Sequence, residues 1–374
     1  MSRHLFRRGG ACLLAGLLPG GLAAAEVARA TLATPGGPRS YLVATPAGPS
    51  RPGRPLVLLL HGHTGSAAHT LGQVRGTGSP LAAWLAIADR EGVVLAALDG
   101  ARGGDGKQGW NDGRPGGRDN PATDDVGFVR GVILALERTQ GVDPARVFVM
   151  GMSNGGVMAQ RVALDLDLPL AAVASVCATM PGDRAPDRMA RPLSVLLVEG
   201  TADPLMPYGG GQVTFFGHPR GAVVGVDGTL AYWRRVDGLE DPPVIERLPH
   251  LGGTADPTRV TRETWSQAVG LQVQLLKVEG GGHAEPTRSR RYGWVYRAVA
   301  GRQNGDLECA EAAWAFFRDK RSRPWRSMAR DGAASTFPTR PGLKGMEEPM
   351  HPASLKTFVL AGGLAALSSL ACAR

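Results

Sequence analysis

The chain has 374 residues, of which 43% are hydrophobic, so it is long enough for one large α/β domain or two small ones with a real core. Its formal net charge is +9, but residues 1–30 hold four arginines against one glutamate, and residues 318–374 hold ten basic residues against four acidic ones. The intervening segment, 31–317, is therefore neutral. Because a nucleic-acid groove needs basic residues on the folded domain, this distribution argues against a nucleic-acid partner.

Residues 1–25 have the order of an export signal. Arg3, Arg7 and Arg8 precede an apolar stretch from Ala11 to Ala25, which ends in three alanines. This stretch is too short to span a membrane as a helix, and its charge-then-apolar order is typical of a secretory signal peptide. We therefore expect a secreted or periplasmic protein with no stable membrane insertion.

The segment from residue 31 to 320 alternates between predicted strands and helices. A continuous apolar run such as 56–60 favours a strand that is buried on both faces of a parallel sheet. The alternation predicts one α/β domain, with a mostly parallel central sheet, right-handed crossovers and helices on both faces. The predicted strands cover 39–45, 56–60, 93–98, 147–150, 171–177, 193–198 and 272–278, and the predicted helices cover 81–90, 124–138, 157–163, 229–236 and 310–318.

The composition changes beyond residue 320. Residues 321–349 are rich in Arg, Pro, Gly and Ser, which predicts disorder, and a short apolar run begins at Phe358. We expect residues 321–374 to form a disordered tail with a short hydrophobic C-terminus.

The cysteines have no spacing typical of a zinc site, and we expect neither a metal nor another cofactor. Cys177 and Cys309 could pair in an exported protein, or both could be buried free thiols. Their spacing alone does not decide between the two.

Residues 146–156 are the most informative stretch. The apolar run Val147–Met150 leads into Gly151-Met152-Ser153-Asn154-Gly155, and a helical run follows. A strand, a sharp glycine-flanked turn and a helix, with serine at the apex, predict a nucleophile elbow of the α/β-hydrolase fold. The serine hydroxyl then stands at a helix N-terminus, where backbone N–H groups stabilise an oxyanion.

A serine needs a base to take its proton and an acid to orient that base, and in this fold they follow in the order Ser, Asp or Glu, His. Asp203 lies just past the predicted strand 193–198, whereas Glu199 is still within it; Asp183 and Asp187 are competitors. An acid just past a strand end can face the elbow, which favours Asp203.

His283 follows the last predicted strand through three glycines, where this chain order places the general base. His250 also follows Asp203, but it lies in an irregular stretch beside Pro249. The predicted catalytic residues are therefore Ser153, Asp203 and His283.

Two further sets of site residues are predicted. The backbone N–H of Asn154 and that of His63, with Thr64 as second choice, are the expected oxyanion donors, whereas His61 is expected to be structural. Trp110 lies in the long glycine-rich loop 99–121, and long loops in compact domains are usually functional. It is our candidate substrate-contacting aromatic, with a buried loop anchor as the alternative.

Several segments together resemble one known group of enzymes. They are Leu60–Gly62, Trp110–Gly113, Asp124–Phe128, Gly151–Gly156, Gly200–Gly210, Gly281–His283 and Ala313–Phe317. With these segments the chain resembles the exported esterases of the polyhydroxybutyrate depolymerase group, which are relatives of the feruloyl and acetylxylan esterases of carbohydrate esterase family one. The resemblance covers about residues 39–318 and implies the same triad that chain order predicts. The family often has Thr-Trp-Pro after its histidine, whereas here Glu285 is expected to bring a carboxylate to the pocket mouth.

The resemblance implies an exported serine esterase whose partner is a small or polymeric ester, and polyhydroxyalkanoate (hydroxybutyrate) oligomers are the first expectation. Feruloyl or acetylxylan esters of plant cell walls are the alternative. A serine peptidase of the prolyl-oligopeptidase-like branch shares the fold but usually carries a propeller, which this sequence lacks. A hydrolase-like binding protein is disfavoured by the intact triad.

Overall fold

A computed structural model describes residues 25–47, 52–75, 78–182, 190–215, 217–267 and 270–322. The predicted export signal, apart from Ala25, and the tail beyond residue 322 lie outside these residues. So do Asp183 and Asp187, the competitors for the catalytic acid.

The described part of the chain holds both strands and helices, with helices between several of the central strands. Its strands are β1 (Glu26–Thr34), β2 (Gly37–Thr45), β3 (Arg54–Leu60), β4 (Val94–Leu98), β5 (Ala101–Arg102), β6 (Gln108–Gly109), β7 (Val142–Met152), β8 (Ala172–Val176), β9 (Ser194–Gly200), β10 (Gly210–Phe215), β11 (His218–Val224), β12 (Val244–Arg247), β13 (Arg259–Ser266) and β14 (Gln272–Glu279). Its helices are α1 (Ala67–Thr70), α2 (Trp84–Glu91), α3 (Asp125–Gln140), α4 (Asn154–Asp165), α5 (Val226–Asp237), α6 (Trp294–Ala300) and α7 (Cys309–Phe317), and a short 3-10 helix, Pro80–Ala83, leads into α2.

A ten-stranded sheet forms the centre of the fold, in the order β1-β2-β4-β3-β7-β8-β9-β14-β13-β12. The six strands from β4 to β14 in this order are parallel neighbours, and the two strands at each edge are antiparallel. The predicted α/β-hydrolase fold with a mostly parallel sheet is confirmed. The sheet begins at Glu26, before the expected domain start at residue 31, because β1 pairs along its whole length with β2.

Alternate side chains of the central strands enter two separate cores. Leu58 and its neighbours on one face pack with α3, α4 and α5, and Leu59 and its neighbours on the other face pack with α1, α2 and α7. This period of two follows from the strand pleat, and both faces are apolar because helices cover both. The predicted placement of helices on both faces is confirmed. None of the described helices is long and apolar enough to cross a membrane.

The parallel direction of β7, β9 and β14 decides where the site lies. The carboxyl ends of parallel strands meet at one edge of a sheet, so the turns that follow these three strands lie together. Ser153 follows β7, Asp203 follows β9, and His283 follows β14.

Candidate active site

Ser153 occupies a sharp turn between β7 and α4. Its backbone has φ 56° and ψ −126°, a left-handed region that costs energy for a residue with a side chain, and its N–H donates to Val176 O at 2.9 Å. Two glycines make this turn feasible. A Cβ on Gly151 would lie 2.0 Å from Gly155 O, and one on Gly155 would lie 2.2 Å from Leu60 O. The sequence therefore holds the serine at the apex of a nucleophile elbow, as predicted.

A continuous hydrogen-bonded chain joins the three predicted catalytic residues. His283 Nε2 lies 2.8 Å from Ser153 Oγ, and His283 Nδ1 lies 2.7 Å from Asp203 Oδ2. An ionised carboxylate can only accept, so Nδ1 carries the proton and Nε2 is free to accept from the serine hydroxyl. The side chains of His283 and Asp203 are 5% and 1% exposed, so water competes little for these bonds.

Asp203 is fixed in turn by the backbone that follows it. Its Oδ1 accepts the N–H groups of Leu205 and Met206, each at 2.8 Å, which leaves Oδ2 directed at the imidazole. The two amides orient the carboxylate toward its side-chain partner, His283. His250 lies elsewhere, with its Nδ1 2.8 Å from Asp306 Oδ1.

Of the three predicted oxyanion donors, the structure leaves two as candidates and excludes the third. The loop after β3 packs on the nucleophile, because a Cβ on Gly62 would lie 3.4 Å from Ser153 Cβ. The amides of His63 and Asn154 donate to no other group among the described residues, so both stay candidates. The second choice, Thr64, is wrong, because its N–H donates to Gln108 O at 2.8 Å and is therefore occupied.

Trp110 is a loop anchor, and its prediction as a substrate-contacting aromatic is wrong. Its side chain is fully buried, its Nε1–H donates to His61 O at 2.8 Å, and its ring packs on the His61 ring with centroids 5.0 Å apart. Its backbone N–H donates to Asn154 Oδ1 at 2.8 Å. A tryptophan with both N–H groups satisfied inside the protein holds the loop and presents no surface to a substrate.

A buried carboxylate that the sequence reasoning missed lies beneath the elbow. Asp112 is inaccessible to solvent and accepts from Asn154 Nδ2 at 2.6 Å, Arg114 Nε at 2.8 Å and Asn120 Nδ2 at 2.8 Å. Burial raises the pKa of Asp112, and the adjacent Arg114 opposes that rise. The available signal was the adjacency of Asn111 and Asp112 to Trp110 in a loop otherwise rich in glycine.

His61 is structural, as expected. Its Nε2 accepts from Gly100 N–H at 2.9 Å, and its Nδ1 donates to Gly62 O at 2.7 Å, so the ring joins the loops after β3 and β4. Burial lowers its pKa to about 4, which keeps the ring neutral.

Three polar side chains, those of Glu285, Tyr292 and Tyr296, lie around the loop that carries His283. Glu285 is 2% exposed and accepts from Tyr292 Oη at 2.7 Å, so the expected carboxylate at the pocket mouth is wrong. Burial raises the pKa of Glu285. Tyr296 Oη donates to His283 O at 3.0 Å. The two tyrosines therefore hold the histidine loop from the side of α6, a role that no sequence pattern indicates.

Cys177 is a further buried neighbour of the triad. Its sulfur, one Asp203 oxygen and one His283 nitrogen all lie within 4.8 Å of one another. Burial raises the pKa of the thiol well above its usual range, so it stays protonated. Cys177 and Cys309 are both free and buried in the structure, which agrees with the second of the two alternatives left open by their spacing.

The fold and the site together define a serine hydrolase of the α/β-hydrolase type. No model of a known protein family matches the chain. The putative esterase NocK of Nocardia uniformis subsp. tsuyamanensis is 34% identical over 291 residues, which is 74% of this chain and 78% of that protein. At this identity and coverage, the chain belongs to the esterase family that includes that protein.

Two more distant relatives are larger enzymes. Feruloyl esterase B of Piromyces equi is 29% identical over 209 residues, covering 55% of this chain and 36% of that protein. The bifunctional acetylxylan esterase/xylanase XynS20E of Neocallimastix patriciarum is 24% identical over 234 residues, covering 62% of this chain and 29% of that protein. None of the three is named as a polyhydroxybutyrate depolymerase, and that finer resemblance stays a prediction.

Proposed function

We propose that this esterase cleaves its substrate through an acyl-enzyme formed on Ser153. The observation that carries the proposal is the unbroken chain from Ser153 Oγ through His283 to Asp203, with heavy-atom distances of 2.8 Å and 2.7 Å. His283 takes the serine proton as Oγ attacks the ester carbonyl, and then passes it to the leaving alkoxide. Water, activated by the same histidine, releases the acid.

Asp203 and the backbone complete the chemistry. Asp203 holds the imidazole with its proton on Nδ1 and stabilises the imidazolium that forms during attack. The amides of Asn154 and His63 hold the negative oxygen of the tetrahedral intermediate. The Asn154 amide is the first of α4, so the helix dipole adds to its effect.

For the substrate, we propose an acyl ester of a plant cell-wall polysaccharide. Two relatives are named for feruloyl and acetylxylan ester hydrolysis, and this supports the alternative drawn from the sequence over the first expectation. Hydroxybutyrate oligomers are the second candidate, favoured by the motifs that resemble the depolymerase group. The charge-then-apolar order of residues 1–25 supports export to where such polymers occur.

A release assay on the purified full chain tests both the proposed esterase activity and the proposed substrate class. It compares methyl ferulate, acetylated xylan, hydroxybutyrate oligomers and p-nitrophenyl acetate. Ferulate or acetate release from the wall esters is expected. Hydroxybutyrate release alone would overturn the wall-ester assignment and keep the mechanism.

The mechanism itself is tested by Ser153→Ala, which should lower turnover of p-nitrophenyl acetate by at least about 10³-fold without unfolding the protein. Ser266→Ala, an exposed serine at the end of β13, is the matched control and should retain wild-type turnover. Near-wild-type turnover in Ser153→Ala would overturn the assignment of the nucleophile.

A further inference from the structure

The surface around α6 combines exposed apolar side chains with a concentration of positive charge. Trp294 is 76% exposed, and Val295 and Val299 are 42% and 37% exposed. So large an exposed fraction is unusual for tryptophan, because the hydrophobic effect normally buries much of this side chain. We call this surface, together with the arginines described next, the α6 face.

Residues 288–302 contain five arginines and no acidic residue, and all five arginines are exposed. Arg291 lies 3.6 Å from Asp256. Within the described ranges, the other four make no ion pair with a carboxylate. They are Arg288, Arg290, Arg297 and Arg302. Glu308, the acidic residue beside this loop, is engaged by the hydroxyls of Thr287 and Ser289 and by the Arg288 amide.

The opposite, buried side of α6 is joined directly to the catalytic histidine. The N–H of His283 donates to Ala300 O at 2.6 Å, and Tyr296 Oη donates to His283 O. Trp294 stands at the other end of the same helix, about 10 Å along its axis at the usual rise per residue. A chain molecule bound along the α6 face therefore lies on the helix that holds the loop of the catalytic histidine.

We propose that the α6 face binds the carboxylate-bearing sugar chain of a polymeric ester substrate, an acidic polysaccharide. Guanidinium groups match carboxylates in shape and charge and bind them in a bidentate manner. The C–H face of a sugar ring is weakly positive and packs on the negative face of an exposed indole. This inference rests on the proposed function, since it assigns the part of the substrate that lies outside the triad.

Two other occupants fit the observations less well. A membrane surface requires a broad apolar face, whereas α6 is seven residues long and exposes three large apolar side chains. The chain's own residues 323–374 carry seven basic residues against three acidic ones, so this segment has the same sign of charge as the α6 face. An anionic partner is therefore favoured over either.

Binding is measured with the full chain in a Ser153→Ala background, on immobilised glucuronoxylan and on neutral xylan. We expect preferential binding to glucuronoxylan, weakened at least about tenfold when salt is raised from about 50 mM to about 500 mM. Trp294→Ala, and the triple variant Arg288→Gln/Arg297→Gln/Arg302→Gln, should each weaken it about tenfold. Ile245→Ala, an exposed residue of β12, and Arg138→Gln, an exposed arginine of α3, are the matched controls.

Three outcomes would overturn the proposal: equal binding to neutral xylan, unchanged binding in both α6-face variants, or binding to phosphatidylglycerol vesicles without binding to glucuronoxylan. Turnover of p-nitrophenyl acetate, measured for the same variants with Ser153 intact, separates this proposal from the proposed function. It should stay within about twofold of wild type, because a small ester does not reach the α6 face. Loss of p-nitrophenyl acetate turnover in an α6-face variant would show that the substitution disturbs the triad.

Discussion

Asn154 and Asp112 are joined by a hydrogen bond of 2.6 Å between Nδ2 and Oδ2, which ties the residue after the nucleophile to the loop 99–121. The other side-chain atom of Asn154, Oδ1, accepts the N–H of Trp110. The side chain of Asn154 is thus fully engaged by one loop, while its backbone N–H is left for the oxyanion. The position of a proposed catalytic amide is therefore set by a loop 42 residues earlier in the chain.

Asp112→Asn should weaken this arrangement strongly. Asp112 accepts from Asn154, Asn120 and both the backbone and side chain of Arg114, so an amide group in its place would direct N–H groups at other donors. It would also leave the buried Arg114 without its counter-charge. Losing one partner of such a pair costs about 3–5 kcal/mol.

Urea unfolding measures this loss, and kcat for p-nitrophenyl acetate should fall with it because Asn154 loses its support. The matched control is Asp167→Asn, which breaks an exposed pair with Arg130 and should cost less than about 1 kcal/mol. Equal stability of Asp112→Asn and wild type would contradict the role given to Asp112.

Trp110→Phe separates a loop anchor from a substrate contact. The ring stays apolar, but His61 O loses the indole donor at 2.8 Å, and a buried acceptor left without its partner costs about 1–3 kcal/mol. We expect lower stability in urea unfolding and a KM for methyl ferulate within about twofold of wild type. A raised KM at unchanged stability would restore Trp110 as a substrate-contacting residue.

The central fold could be predicted because its strands are buried on both faces. β3, Leu58 and Leu59 included, is apolar at nearly every position, and each of the seven predicted strands is present. The triad could be predicted as well, because chain order and strand ends decide where Ser153, Asp203 and His283 meet.

The edge of the sheet was not predictable in the same way. β12 has all four residues exposed, and β1 alternates weakly between exposed and half-buried positions, so neither has an apolar run. These strands are held by backbone pairing with β13 and β2, and backbone pairing leaves little mark on the side-chain pattern. The hydrogen bond from the Thr64 N–H to Gln108 O is also a backbone contact, so it could not be predicted from the side-chain pattern either.

His61 should make stability depend on pH in the acid range. Its folded pKa is about 4, below the usual 6.5, because burial disfavours the charged ring. Between these two values the unfolded chain binds a proton that the native state does not, so stability falls as pH falls from about 6.5 to about 4. The slope from this group is at most about 1.4 kcal/mol per pH unit, and it vanishes below pH 4.

An NMR titration of the histidine ring signals in the intact protein checks this directly, with the urea-unfolded chain as reference. The His61 signal should stay in its neutral position down to about pH 4. Urea unfolding across the same range should give a steeper pH dependence for wild type than for His61→Gln. Protonation of His61 near pH 6.5 in the folded protein would show that the ring is not held neutral by burial.

Glu199→Gln should stabilise the protein increasingly as pH rises. Glu199 is 3% exposed on β9, and burial first, then the charge of Asp203, raises its pKa well above the usual 4.5. From pH 4.5 up to the raised pKa, the native state binds a proton that the unfolded chain has lost, so this group makes stability fall as pH rises. A glutamine does not titrate, and its Oε1 can still accept the Ala178 N–H that Glu199 accepts at 3.0 Å.

Urea unfolding at pH 5, 6, 7 and 8 measures the difference between Glu199→Gln and wild type, which should grow by at most about 1.4 kcal/mol per pH unit. Glu240→Gln, at an exposed position after α5, is the matched control and should show no such growth. A difference that stays constant with pH would mean that Glu199 has the same pKa in the folded and unfolded chain. A difference that shrinks would mean that Glu199 is stabilised as a carboxylate, contrary to its burial.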